Sequence, residues 1–152
     1  MHDVAGIYGR ELSVLERSVQ IGIAQGRVIS VSFPTQLDED IAGEHELLDR
    51  IDAYLSGEQD EFSDVTVALT VPTEQRKILE ALRTVPYGES VSMEQLLRMT
   101  PGDHDTEEEL PTVRTALLDN PVPVLIPTHR VSDAPSTLPT EVATAVQAVE
   151  GL

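Results

Sequence analysis

The sequence predicts an α+β protein, and three observations carry that expectation. Apolar residues alternate with polar ones between residues 19 and 33, the two-residue period of strands. From residue 46 onward they recur mostly at three- and four-residue intervals, the period of amphipathic helices. An apolar fraction of 40% is that of an ordinary globule, so the 152 residues can build a core of one or two small domains.

Taken in order, Val19, Ile21 and Ile23 alternate with Gln20 and Gly22. The segment "AQGR" supplies a turn, and Val28, Ile29, Val31 and Phe33 return, which predicts a hairpin within residues 13–33. In "DEDIAGEHELLDRIDAYLSGE", Leu47, Leu48, Ile51, Tyr54 and Leu55 share a helical face that stops at Gly57. "FSDVTVALTV" alternates and reads as a strand or an extended connector. Residues 1–70 are thus expected to form a small N-terminal α/β domain and residues 71–152 a helical one. Ile78, Leu79, Leu82 and Val85 form the stripe of a helix with Thr73 as its expected N-cap. Ser92 and Gln95 make a capping box for the next helix, with Val91 and Leu96 at staple positions. A third helix is expected over Pro111–Leu118, since proline suits a first turn, and Thr106 with Glu109 is able to cap an extra turn before it. Helix, short helix, loop, helix is a helix-turn-helix order. The last segment, "PTEVATAVQAVEGL", puts Val142, Ala145, Val146 and Val149 on one side of a final helix.

The charge is lopsided: 27 acids against 10 bases, of which Lys77 is the single lysine. A net charge of −17 argues against ordinary nucleic-acid or anionic-membrane binding, which draws on basic patches. Acids spread along nearly the whole chain suit concentrated salt, where carboxylates hold water and counterions screen their repulsion, so a halophilic protein is expected. The chain has no cysteine, hence no disulfide, thiolate metal site or thiol nucleophile. The N-terminus lacks the pattern of a signal peptide and no apolar run approaches a membrane span, so a cytoplasmic, monomeric protein without membrane contact is expected. The densest acidic stretch, "PGDHDTEEEL", fits no EF-hand or zinc spacing and reads as a solvated loop; neither metal nor cofactor is expected.

One stretch stands apart. In "NPVPVLIPTHRV", an apolar run fenced by prolines delivers Thr128, His129 and Arg130 in succession. Together with "PTEQRKILEALRTVPYGESVSMEQL" and "VRTALLD", it closely resembles the O6-alkylguanine-DNA alkyltransferases and their alkyltransferase-like relatives. "LDRIDAYLSGE" adds a weaker N-terminal likeness, so the resemblance runs over essentially the full chain. It implies an N-terminal α/β domain with a small antiparallel sheet and a C-terminal domain with a winged helix-turn-helix.

The resemblance places the acceptor cysteine at Thr128. A threonine hydroxyl is far too basic to supply the soft nucleophile that alkyl transfer needs, so no catalytic residue is expected. His129 and Glu150 fall on the histidine and the glutamate that buttresses it, a remnant network expected to be linked through water. The DNA- or lesion-binding positions implied are Met93, Arg114, Asn120, Pro127, Thr128, Arg130 and Val131. Two of these depart from the pattern. Met93 stands where the family has the tyrosine that rotates the damaged nucleotide, and the arginine that fills the base stack aligns with Pro111, leaving Arg114 one turn on as its deputy. The glycine-rich, tyrosine-bearing lid is replaced by "SDAPSTLPT", which lacks an aromatic platform. Asp103, Asp105 and Glu107 to Glu109 compete with phosphate at the recognition helix. Two functions therefore remain open. The first is non-catalytic recognition of O6-alkylguanine in double-stranded DNA, with handover to a repair-protein partner. The second is a diverged structural or protein-interaction module that no longer binds DNA.

Overall fold

The computed structural model describes residues 6–37, 39, 41, 43–102 and 106–152. Three strands, β1 (Gly6–Glu11), β2 (Ser18–Ala24) and β3 (Arg27–Ser32), form an antiparallel sheet in that order. Five α-helices follow: α1 (Glu46–Leu55), α2 (Thr73–Leu82), α3 (Met93–Met99), α4 (Thr106–Leu118) and α5 (Thr140–Glu150). The α+β expectation stands.

The hairpin forms as the alternation predicts, with Val19, Ile21, Ile23, Val28 and Val31 buried. Its two turn residues, Gln25 and Gly26, both have positive φ (54° and 75°), the backbone a two-residue hairpin turn demands. β1 has no strand-like alternation in the sequence and was not anticipated. It pairs with β2 from Gly6↔Ile23 to Glu11↔Ser18, and Gly9 explains why a glycine-bearing segment fits there. A Cβ on Gly9 would stand 2.6 Å from a Leu37 methyl and 3.1 Å from the Val19 carbonyl.

The segment after α1 is a connector rather than a strand. It touches the sheet at a single parallel bridge, Val28↔Val67, where Val28 N–H donates to Thr66 O (3.0 Å) and Ala68 N–H donates to Val28 O (3.0 Å). Further along the same edge, Val31 N–H donates to Pro121 O at 2.9 Å, fastening the sheet to the loop that carries the Thr-His-Arg tripeptide. These contacts cover β3 backbone groups that would otherwise be an open edge.

Two helix starts differ from expectation. Thr73 is the first helical residue of α2, not its cap: Pro72 takes the N-cap place at φ −55° and ψ 149°, with no side-chain bond to the free N–H groups. Proline is confined to that φ and the segment before it is extended, so the helix turns on one residue earlier. α4 begins at Thr106, placing Pro111 inside the helix instead of at its start. Glu107, Glu108 and Glu109 in the first turn favour the positive end of the helix dipole. Proline at the sixth position forgoes only the N–H bond to the Glu107 carbonyl. The capping box of α3 forms in full, with Gln95 N–H donating to Ser92 Oγ (3.1 Å) and Ser92 N–H to Gln95 Oε1 (2.8 Å).

α2, α3 and α4 pack together as the helix-turn-helix, an arrangement consistent with the winged form expected. A single cluster of buried residues runs from the sheet through α1 into α5 and the helical half. α1 packs on α5 as well as on the sheet, which brings Tyr54 up to the C-terminal helix.

Candidate functional site

Ten consecutive residues, 122–131, are buried. Asn120 closes this loop on itself: its Nδ2 donates to Ile126 O and its Oδ1 accepts from Val122 N–H, both at 3.0 Å. Val124 sits at φ 77° inside the closed loop, a left-handed backbone that a β-branched side chain rarely takes, held there by packing at 3% exposure. The loop delivers Pro127 and then a 3₁₀ turn over Thr128–Arg130. Thr128 N–H donates to Ile126 O (2.9 Å) and its carbonyl accepts from Val131 N–H (3.1 Å). Val91 pairs alongside, donating to Arg130 O (2.9 Å) and accepting from Ser132 N–H (2.8 Å).

The tripeptide is buried throughout, and its three side chains have different surroundings. Arg130 donates through Nε to Glu150 Oε1 (2.7 Å), through Nη2 to Glu150 Oε2 (3.1 Å) and through Nη1 to Val85 O (2.7 Å), with the Tyr87 ring 5.7 Å beneath the guanidinium. His129 Nε2 lies 2.6 Å from Glu150 Oε2. This link is direct, which corrects the expected water-mediated one: α5 ends against the turn, so carboxylate and imidazole meet without a spacer. Thr128 Oγ1 has no hydrogen-bond partner among the described residues, so its hydroxyl does not satisfy nearby backbone.

Glu150 is the centre of this arrangement. Its carboxylate also accepts from Gly88 N–H at 2.9 Å and from the Tyr54 hydroxyl. Burial alone pushes a carboxyl up; donation from His129, Arg130, Gly88 and Tyr54 outweighs it and holds Glu150 well below the usual carboxylate range. Burial, then the bond to Glu150, pushes the Tyr54 phenol well above the usual tyrosine value, so it remains a donor. Sequence reasoning placed Tyr54 only in an apolar stripe and did not single out Gly88. A tyrosine in an otherwise aliphatic stripe was the available signal, because a buried phenol needs a partner for its hydroxyl.

The other expected positions divide. Met93, at the first position of α3, is half-buried, and its N–H donates to Asp133 Oδ1 (2.7 Å), which ties it to the segment after the tripeptide. Asn120, Pro127 and Val131 are buried parts of the loop rather than exposed contacts. Arg114 is exposed on α4 and, among the described residues, has no carboxylate partner. Pro111 is exposed within α4. Asp103 and Asp105 lie outside the described residues. A groove of about 440 Å³ opens against the Asn120 loop, lined by Phe33, Pro34, Leu118, Asn120, Pro123 and Leu138 among others; it joins the sheet, the end of α4 and the segment after the tripeptide.

Residues 73–149 match the family model described as 6-O-methylguanine DNA methyltransferase, DNA binding domain. A methylated-DNA–protein-cysteine methyltransferase of Mycobacterium tuberculosis is 33% identical over 93 residues, 60% of this chain and 52% of that protein. The chain therefore spans about half the length of the curated relatives it matches. In fold, it is similar to the crystal structure of M. tuberculosis O6-methylguanine methyltransferase (TM-score 0.70, 22% identity, 95% of this chain and 92% of that one). A structure of the M. tuberculosis protein in complex with DNA aligns at TM-score 0.63 and 23% identity, over 82% of this chain and 76% of that one.

Proposed function

We propose that this chain, which belongs to the 6-O-methylguanine DNA methyltransferase family through its DNA-binding domain, recognises O6-alkylguanine in duplex DNA without accepting the alkyl group. The observation that carries this reading is Thr128. It takes the acceptor's place on a turn whose supporting residues His129, Arg130 and Glu150 are all engaged, while the chain contains no cysteine. A hydroxyl at that place is no alkyl acceptor at neutral pH, so recognition is the function the site retains.

Support for DNA binding comes from the family match over the helix-turn-helix and from the DNA complex of a neighbour in fold. Arg114, exposed and without a carboxylate partner among the described residues, is available to phosphate or to the base stack. The groove beside Asn120 supplies a recess next to the tripeptide loop. The acidic surface is compatible with this in concentrated salt, where counterion release contributes little to phosphate binding in any case. A second reading, loss of DNA binding in favour of an interaction role, is favoured by Glu107 to Glu109 in the first turn of α4, where they oppose phosphate.

A titration separates the two. In about 2 M KCl, a salt that suppresses phosphate-driven affinity, a duplex with one O6-methylguanine is compared with the same duplex unmodified. Binding of the lesion at least about tenfold tighter, weakened by Arg114→Ala, is the expected result. No binding to either duplex, at high or low salt, refutes lesion recognition.

A further inference from the structure

We infer that Tyr54 is a positioning residue of the Thr128–Arg130 turn: its hydroxyl, carried by α1, fixes the Glu150 carboxylate on which the turn is built. The N-terminal half thereby enters the candidate lesion site. The consequence for lesion preference rests on the recognition proposed above, whereas the positioning itself does not.

The turn is held through its side chains. His129 Nε2 lies 2.6 Å from Glu150 Oε2, while Arg130 donates through Nε to Oε1 (2.7 Å) and through Nη2 to Oε2 (3.1 Å). Gln147 Nε2 adds a bond to the His129 carbonyl at 3.0 Å. The turn therefore takes its place from a carboxylate at the end of α5. A carboxylate rotates over a broad range about its last side-chain torsion, so the turn is only as well placed as that plane. Two groups outside both the turn and α5 set the plane, one on each oxygen. Gly88 N–H donates to Oε1 at 2.9 Å, and the Tyr54 hydroxyl donates to Oε2. Without that hydroxyl, Oε2 is bonded to groups of the turn alone, and carboxylate and turn are free to shift together.

Packing holds the Tyr54 ring where this bond needs it. The residue is 1% exposed, and its ring meets Phe62 (centroids 5.5 Å apart, 72°) and Tyr87 (6.0 Å, 85°) edge-on. Phe62 is fixed in its turn. Its N–H donates to Asp60 Oδ1 (2.9 Å), its carbonyl accepts from Arg83 Nη2 (2.7 Å), and the Arg50 guanidinium lies 5.3 Å from its ring. A side chain locked by such a shell keeps its polar tip at one point. Neither Tyr54 nor Phe62 belongs to residues 73–149, which match the DNA-binding domain. Other ties between the halves act elsewhere: Val31 N–H holds the preceding loop at Pro121 O (2.9 Å), and Arg17 holds the start of α5 at Glu141 (3.2 Å).

The test is amide hydrogen exchange of the full chain by NMR, comparing Tyr54→Phe with Val19→Ala, a cavity at a buried position of β2. The Thr128, Arg130 and Val131 amides report on the turn, donating to Ile126 O, Pro127 O and Thr128 O. At equal global stability, Tyr54→Phe should accelerate these three about tenfold more than Val19→Ala does, the scale of one hydrogen bond to a charged group. Equal acceleration overturns the inference. Should Tyr54→Phe fail to fold, the unsubstituted chain decides. Amides of residues 51–55 and 128–131 must open together as denaturant is raised, and an α1 that opens while the turn stays protected overturns the inference. A second arm uses the lesion and unmodified duplexes in about 2 M KCl. Tyr54→Phe should lower the preference for the lesion by about the same factor and leave affinity for the unmodified duplex unchanged; an undiminished preference overturns the inference. If the unsubstituted chain shows no preference, lesion recognition fails, and the exchange comparison still decides the role of Tyr54.

Discussion

The inner and outer faces of the same helical half follow different rules. On the inner face Glu150, His129 and Arg130 are buried and mutually bonded, and Tyr54 and Gly88 complete the shell around one carboxylate. On the outer face Glu107 and Glu108 are exposed at the start of α4, and Arg114 is exposed without a carboxylate partner among the described residues. The inner face cannot change one residue at a time, because removing one member of a buried ion pair strands the other. The outer face can, since exposed substitutions rarely move stability by more than about 0.5 kcal/mol. Position 128 is the instructive exception. It lies on the inner face, yet the fold holds it by its backbone and, among the described residues, makes no hydrogen bond to its side chain. An acceptor at that place is dispensable to the fold in a way that His129, Arg130 and Glu150 are not.

The largest effect that would break this comparison comes from Glu150. Glu150→Ala should cost about 3–5 kcal/mol, because Arg130 is left buried with only Val85 O as its bonded partner. Chemical denaturation of the variant against the unsubstituted chain measures it; a loss under about 1 kcal/mol would make the inner face as tolerant as the outer. The same carboxyl sets an acid limb. Its folded pKa is depressed, so the unfolded chain takes up the proton first as pH falls. The contribution of Glu150 is therefore fully present above the unfolded value of about 4.3 and is lost below it. Glu150→Gln should flatten the fall in stability between about pH 5 and pH 3, measured as denaturation midpoints across that range.

Next in size is Asn120. Asn120→Ala leaves Val122 N–H unpaired inside the closed loop and takes from Ile126 O one of its two donors, Thr128 N–H remaining, a loss of about 1–3 kcal/mol. The strain at Val124 gives a second readout, because the loop should relax and amide exchange across residues 122–128 should accelerate. On the outer face the expected effect is one of binding. Glu107, Glu108 and Glu109 changed together to glutamine should raise affinity for unmodified duplex at about 0.1 M salt roughly tenfold, at some cost to the α4 start whose dipole they favour. If affinity stays flat, the acids of α4 are not what opposes DNA.

How much of this was legible in the sequence follows the same division. The hairpin, α1 and the capping box of α3 were readable because local chemistry decides them: period, turn and cap residues all lie within a few positions of each other. β1 was not, since its place depends on Gly9 fitting under Leu37 and on pairing with β2, neither of which leaves an alternating pattern. Pro111 was taken as the start of α4 because proline is a good first-turn residue in general, and the extra turn allowed from Thr106 is where the helix in fact begins. At the site, the Thr-His-Arg tripeptide stood out as polar residues ending an apolar run, and Glu150 was placed only by the family resemblance. Tyr54 was not, because it lies 75 residues from His129 and its polar tip is invisible to a hydrophobic pattern.

The smallest expected effect is the sharpest test of the comparison. Thr128→Val replaces the hydroxyl with a methyl group of similar shape. If Oγ1 is bonded to nothing, the change removes no hydrogen bond and buries a group that costs less to take out of water. Stability should then stay within about 0.5 kcal/mol of the unsubstituted chain, or rise slightly, by urea denaturation. A loss well above about 1 kcal/mol would mean that the hydroxyl holds His129 or the loop backbone after all. Position 128 would then join the inner face, and replacing the family's cysteine would have given this chain a new structural bond instead of only removing an acceptor.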